Sequence, residues 1–247
     1  MAGSLGDWSL IWDDKDLLLD GLRVAVDVSL VALLISVVLG LAIALMRMSA
    51  PPFTWIAWLY INVFRGLPAL VTALWVFFGV SVATGINFST FQAAVITLTL
   101  LYSAYNAEIF RSALQAVPPG HKEAAHALGM RSSRVFFSVT LPQATKIALP
   151  NVGSMFIGMV KDTSTFTLIG LVEVVRTTQN LVSINFQYFP LYTAAAILYI
   201  LAAFAIDLVF RTVESGFAIP PRGLLSRALR HRKQKRIARV VQQLAAT

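Results

Sequence analysis

The sequence predicts an all-α integral membrane protein with five transmembrane helices, N-terminus outside and C-terminus cytoplasmic. Three observations carry this prediction. The 247 residues are 57% hydrophobic and only 13% charged, with a mean hydropathy of +0.72. A soluble domain holds roughly 25% charged residues, and a water-exposed fold of this size cannot hide so much apolar surface. The charges are also clustered: no Asp, Glu, Lys or Arg occurs from Gly66 to Ala107, room for two spans at about 20 residues each. Finally, Lys and Arg concentrate in segments that alternate consistently with five crossings, as the positive-inside bias requires.

Residues 1–21 are expected to be extracytoplasmic. They are acidic, with Asp7, Asp13, Asp14, Asp16 and Asp20 against Lys15 alone. No basic stretch precedes an apolar run, so no cleaved signal peptide is expected. The region 22–210 is expected to hold the membrane domain. Its first span covers about 22–46. Arg47 and Pro51-Pro52 end it, because proline breaks the helical ladder and disfavours helix in the residue before it. Residues 53–64, with Trp55, Trp58 and Tyr60, suit an interfacial helix, since amphipathic rings settle at headgroup depth. The second span is about 66–83, and Gly85-Ile86-Asn87 forms the turn. The third is about 89–110, the fourth about 149–172 and the fifth about 189–209.

Loop 111–146, between the third and fourth spans, carries Arg111, Lys122, Arg131, Arg134 and Lys146 against Glu123. The tail 211–247 is strongly basic against Glu214 alone. Both belong inside; Arg47 is then also inside, while the Gly85 turn and loop 173–186 are outside. The tail lacks interleaved aromatics, which argues against nucleic acid. Its Leu224, Leu225, Ala228 and Leu229 suit a helix lying on anionic lipid. The chain has no cysteine, so no disulfide or thiolate zinc site is expected. His121, His126 and His231 lack metal-ligand spacing and are read as solvated.

The loop holds the most informative pattern. Glu123-Ala124-Ala125 is followed after three residues by Gly129, and after nine more by Val139-x-Leu141-Pro142. Small alanines favour helix and allow close approach of a partner. Glu123 follows Pro118-Pro119-Gly120 and is expected in the first turn, where the helix dipole stabilises a carboxylate. Gly129 can end the helix in a left-handed turn at low cost. The segment 132–139 then leads through Leu141-Pro142 into the fourth span. This order resembles the EAA-x3-G-x9-I-x-LP loop of bacterial ABC importer permeases, with Val139 in place of Ile.

The resemblance extends over about residues 22–215. Arg65-Gly66-Leu67-Pro68, followed by Ala69-Leu70-Val71, looks like the entry to the second span in permeases for polar amino acids. Residues 104–111 (AYNAEIFR), Leu141-Pro142-Gln143-Ala144 and Lys161-Asp162-Thr163-Ser164 also match that group's pattern. Two positions depart from it: Thr165 where the family usually has Leu, and His121 in place of the usual Gln. On these motifs the chain is identified as a member of the histidine/glutamine/arginine permease group. The resemblance implies a type I ABC importer permease fold in the bacterial cytoplasmic (inner) membrane, crossing it several times. It implies a second permease subunit, identical or paralogous, two ABC ATPase subunits and an amino-acid-binding protein as partners. It makes Glu123, Ala124, Ala125, Gly129, Leu141 and Pro142 the ATPase-coupling residues. The chain is then no enzyme. It has no G-x4-G-K-[ST] loop to cradle phosphates, so ATP and its magnesium are expected on the partner ATPase, with no cofactor or metal here.

Ionisable groups at membrane depth are costly and mark functional candidates. A zwitterionic amino acid needs charges of both signs with hydroxyls and amides. Lys161, Asp162, Thr163 and Ser164 in the fourth span, with Asn106 and Glu108 opposite, are the candidate substrate pathway. Lys161 and Asp162 could equally pair with neighbouring helices, and as adjacent residues each needs its own partner. Arg65 and Pro68 are candidate gate or interface residues. Asp27 lies in the first span and Asp207 near the end of the fifth. Gly153, Gly158 and Gly170 with Ser154 and Ala148 form a small-residue face suited to a dimer contact. A secondary transporter or channel is the competing reading, although inverted repeats fit poorly with five spans. Independence from any ATPase would favour it.

Overall fold

The computed structural model describes residues 7–217. The basic run beyond them, and His231 with it, lies outside the described residues. After a short α1 (Ser9–Asp13), α2 runs unbroken from Lys15 to Arg47. It therefore starts before residue 22 and takes Asp16 and Asp20 into helix, Asp16 lying in the first turn, where the dipole favours it. Next come α3 (Phe53–Gly66), α4 (Ala69–Leu74) and, after a π-helical turn over Trp75–Val80, α5 (Ser81–Thr84). The capping box of Ser89 and Gln92 opens α6 (Thr90–Gln115), satisfying two orphan N–H groups reciprocally. The rest is α7 (Pro119–Ala127), α8 (Ser132–Val135), α9 (Leu141–Asp162), α10 (Val174–Asn185) and α11 (Tyr188–Phe217). No strand occurs among the described residues.

Three helices, α2, α6 and α11, are each long and apolar enough to cross a membrane. Two bent pairs bring the number to as many as five if each is one span: 53–66 with 69–84, bent by 106°, and 132–169 with 174–185, bent by 49°. The first bend follows from Arg65-Gly66-Leu67-Pro68. Proline pushes the residue before it out of helix, and Leu67 and Pro68 are both extended, with ψ of 133° and 143°. The fourth helical run begins at Ser132, well before 149. A π-helical turn over Phe136–Thr140 precedes Leu141-Pro142 and carries helix α8 into α9. Widening the ladder there accommodates a proline that has no N–H to give. At its other end α9 tightens into a 3-10 turn, Thr163–Ile169, closed by Gly170 at φ +89°.

α6 is the central helix. In its most apolar window 67% of residues are buried, against 17% for α11. The main core joins Val28 and Ala32 of α2, Leu98 of α6, and Phe156 and Met159 of α9. α2 and α6 meet most extensively, at Gly40, whose Cβ would stand 2.7 Å from that of Asn106. The outer faces are apolar instead: Ile200, Leu201, Phe204 and Leu208 of α11 and Leu34 and Val38 of α2 are exposed. Such belts exceed what a soluble surface carries and suit lipid.

Segment 173–186, read from sequence as an outer loop, is the helix α10. It buries Val174, Thr177, Thr178, Leu181 and Val182 against α2 and α11. The small-residue face of the fourth span is used in part inside the chain. Gly153 admits Phe210 of α11, Gly158 admits the Tyr102 hydroxyl of α6, and Gly170 is a helix end. Gly153 and Gly158 are thus filled from within the chain, whereas Ser154 and Gly170 stay exposed.

Candidate functional site

The loop between α6 and α9 builds a short, well-terminated helix. Pro119 sits at the start of α7, where its missing N–H costs nothing and its fixed φ favours helix. Because the helix starts there, Glu123 falls in the second turn, and the first turn holds no acidic residue; the expected dipole contact is absent. Gly129 adopts φ +77°. Its N–H donates to the His126 carbonyl at 2.9 Å, and that of Met130 to Ala125 at 3.1 Å. These paired bonds are the Schellman closure expected of a glycine in the left-handed region. Ala125 faces inward, whereas Glu123, Ala124 and Ala127 are exposed and Leu128 is 83% exposed. An apolar side chain standing beside the helix end, with no core to fill, is a feature the motif alone does not announce.

This helix packs on α8 and on the π-helical turn after it. Lys122 and His126 line a cavity of about 200 Å³ with Leu45 and Met48 at the end of α2 and Leu114 of α6. His121, expected to be solvated, bonds through Nδ1 to Oε1 of Gln143 at 2.8 Å, while Gln143 Nε2 donates to the Val139 carbonyl. The departure His121 thus holds the residue that follows Leu141-Pro142. Ala144 and Ala148 of α9 pack with Ala113, Leu114 and Val117. A displacement of α7 is therefore carried through α8 and the π-helical turn into α9, because packed interiors transmit strain.

The candidate pathway residues do not gather in one place. Asn106 is fully buried between α6 and α2, donating from Nδ2 to Ser36 Oγ at 3.1 Å. Glu108 pairs with Arg111, whose Nε is 3.1 Å away, in a cavity shared with Arg47 and Arg65. Thr163 is buried and its hydroxyl donates to the Val160 carbonyl at 2.7 Å; Ser164 likewise donates to Lys161. These hydroxyls satisfy carbonyls freed where α9 tightens. A polar side-chain contact from α6 to the end of α9 is made by Tyr102, whose hydroxyl donates to Asp162 Oδ2 at 3.0 Å. Tyr102, one turn before Asn106, is an uncharged aromatic residue at neutral pH, and its place in the sequence does not mark it as a partner of Asp162. Asp162 is half-buried, and the adjacent Lys161 is exposed with no carboxylate partner among the described residues.

Arg65 lies over the Tyr105 ring, 5.5 Å from its centroid, and its carbonyl accepts from the Tyr105 hydroxyl at 3.4 Å. Pro68 caps α4, its carbonyl receiving the N–H and hydroxyl of Thr72. Both residues thus sit at the 106° bend between α3 and α4. Asp27 and Asp207 are paired on their own helices with Arg23 and Arg211.

One carboxylate went unrecognised. Glu173 is fully buried. It accepts the N–H groups of Val175 and Arg176, both at 2.9 Å, and the Tyr199 hydroxyl at 2.6 Å. In sequence it reads as a loop charge, because glutamate is not among the residues that usually mark an N-cap. No group of three or more potential metal ligands occurs among the described residues.

Comparison with known proteins places this architecture. Residues 36–219 match the family described as "Binding-protein-dependent transport system inner membrane component". The chain is 32% identical over 213 residues to the glutamine transport system permease protein GlnP of Escherichia coli (strain K12), covering 84% of this chain and 96% of that one. It is 34% identical over 197 residues to the arginine transport system permease protein ArtQ of Bacillus subtilis (strain 168), covering 79% and 90%. Among solved structures, a chain of an amino acid ABC transporter crystallised with histidines superposes with a TM-score of 0.78 at 35% identity, covering 84% of this chain and 97% of that one. A methionine ABC transporter in an inward-facing conformation shares the fold at a TM-score of 0.71 and 20% identity, covering 83% and 98%. The chain therefore belongs to the family of binding-protein-dependent transport system inner membrane components, among the permeases of amino-acid ABC transporters.

Proposed function

We propose that this chain is the permease subunit of an ATP-driven importer of polar or charged amino acids, coupled to its motor through α7. The observation that carries the proposal is the Schellman-closed helix 119–127. It exposes Glu123, Ala124 and Leu128 outward while being fastened inward to α8, the π-helical turn and α9. A short rigid helix of this kind transmits displacement, where a flexible loop would absorb it. The family relationship supports two ATPase subunits, a second permease subunit and an amino-acid-binding protein as partners. The charge bias supports five spans with α7 on the cytoplasmic side, in the bacterial inner membrane. ATP and magnesium bind the motor, and this chain is not itself an enzyme.

In this scheme nucleotide binding closes the motors and draws the two α7 helices with them. The bundle then switches between inward- and outward-facing states according to their different affinities for nucleotide and binding protein. Asp162, held by Tyr102 and next to the exposed Lys161, offers opposite charges to a zwitterion at the point where α9 gives way to a 3-10 turn. Asn106, Glu108, Thr163 and Ser164 support that path by shaping α6 and the end of α9. Arg65 and Pro68 form the bend at its side. The test is uptake of labelled amino acids into proteoliposomes holding the permease, its ATPase and the binding protein. ATP-dependent uptake of one or a few polar amino acids is expected. Uptake that proceeds without the ATPase would assign the chain to a different transport class.

A further inference from the structure

A second polar site lies away from Asp162, where the ends of α2, α3 and α6 meet. Arg47, Arg65 and Arg111 line a cavity of about 260 Å³ with Glu108, Asn62 and Trp58. Glu108 is the only carboxylate there, and it is engaged by Arg111. Arg47 has one long contact, 3.4 Å to the Thr54 hydroxyl, and Arg65 only the face of Tyr105. Neither has a carboxylate within salt-bridge distance among the described residues. The cavity thus holds three guanidinium groups against one carboxylate, and the planar forks of Arg47 and Arg65, which no carboxylate engages directly, suit a phosphate.

Its surroundings decide between a soluble anion and a lipid. Trp58, Asn62 and Arg65 follow one another at one-turn spacing along α3 and face the cavity. The adjoining face of the same helix exposes Trp55, Ile56, Leu59 and Val63, each at least 44% accessible. Polar head contacts and a bare apolar flank therefore adjoin on one helix. Arg47 and Arg65 each occupy the last turn of an apolar helix, the depth at which headgroups lie. A free phosphate would use the arginines and leave the flank unexplained.

We infer that this cavity binds the phosphodiester headgroup of an anionic phospholipid, with its acyl chains along the exposed face of α3. The site lies at the 106° bend between α3 and α4, so a bound lipid would brace the chain where it turns. The inference rests on the membrane placement proposed above, but not on which solute is carried or on which leaflet faces the cytoplasm.

The test uses the complete transporter purified in detergent, with phosphatidylglycerol and phosphatidylcholine of identical acyl chains supplied in equal amounts. Retained lipid is counted by native mass spectrometry without substrate or binding protein. The wild type should retain phosphatidylglycerol selectively. Arg47→Gln should lower that retention about fivefold, and Arg47→Gln/Arg65→Gln by an order of magnitude or more, as expected for one and two lost cationic contacts to an anionic lipid. Arg23→Gln, at the far end of α2, should retain as the wild type does. Equal retention of both lipids, or retention unchanged in Arg47→Gln, would overturn the assignment. Displacement by millimolar glycerol 3-phosphate would assign the cavity to a soluble anion instead. Amino-acid uptake is measured separately, so failure of the transport reading would not be mistaken for failure of this one.

Discussion

At the scale of single residues, two glycines show opposite reasons for being glycine. Gly129 has open space around a hypothetical Cβ but sits at φ +77°; Gly40 has ordinary helical geometry but a Cβ there would lie 2.7 Å from that of Asn106. An L-residue in the left-handed region costs about 1–2 kcal/mol. Replacing Gly40 by alanine gains about 1 kcal/mol of helix propensity, but overpacking a tight contact costs about 1–3 kcal/mol. The clash should win, because Gly40 also meets the backbone of Ser103 and Ala107 at 3.1 Å, which cannot rotate away. Gly40→Ala is therefore expected to lower the thermal unfolding temperature in detergent. Gly129→Ala should also lower that temperature, by about 2–4 °C per kcal/mol, but unlike Gly40→Ala it should in addition weaken substrate-stimulated ATP hydrolysis by the assembled complex. A Gly129→Ala variant with wild-type stimulation would show that the left-handed turn is dispensable.

Among the elements, α10 depends on a group that sequence reading passed over. Glu173 caps it through two N–H groups and accepts the Tyr199 hydroxyl from α11, while Gly21 of α2 packs on its backbone. Leaving buried donors unpaired costs about 1–3 kcal/mol each. Glu173→Ala should destabilise the protein by about 3 kcal/mol or more, allowing for partial relaxation around Tyr199. Glu173→Gln keeps an acceptor and should lose less. Equal melting of the two variants and wild type would remove Glu173 from this role. The contrast with α7 explains what was legible. The ends of α7 are set by local chemistry, Pro119 at one end and Gly129 at the other, and local chemistry is written in adjacent residues. The bend at Leu67-Pro68 is local in the same way. The burial of Glu173 depends on α2, α10 and α11 converging, and the bond between Asn106 and Ser36 on residues seventy positions apart. Neither leaves a periodic trace. The early start of the fourth helical run was hidden for a related reason: Leu141-Pro142 reads as a break until the π-helical turn before it is seen.

For the whole molecule, the arrangement makes a checkable statement about sidedness. The chain contains no cysteine, so single cysteines report on topology without background. Asn87→Cys, at the exposed turn after α5, should react with a membrane-impermeant maleimide in intact cells. Ser133→Cys, exposed at the start of α8, should react only after permeabilisation. Labelling of both from one side would require an even number of crossings between them and would rule out the five-span order. The same order places α7 where a cytoplasmic motor can reach it, and that coupling is the central claim. It is tested most directly by ATP hydrolysis of the reconstituted complex with amino-acid-loaded binding protein, wild type against Gly129→Asp. The account predicts that binding protein stimulates hydrolysis in the wild type, and that the stimulation is lost in an assembled Gly129→Asp complex. Undiminished stimulation in Gly129→Asp would contradict it.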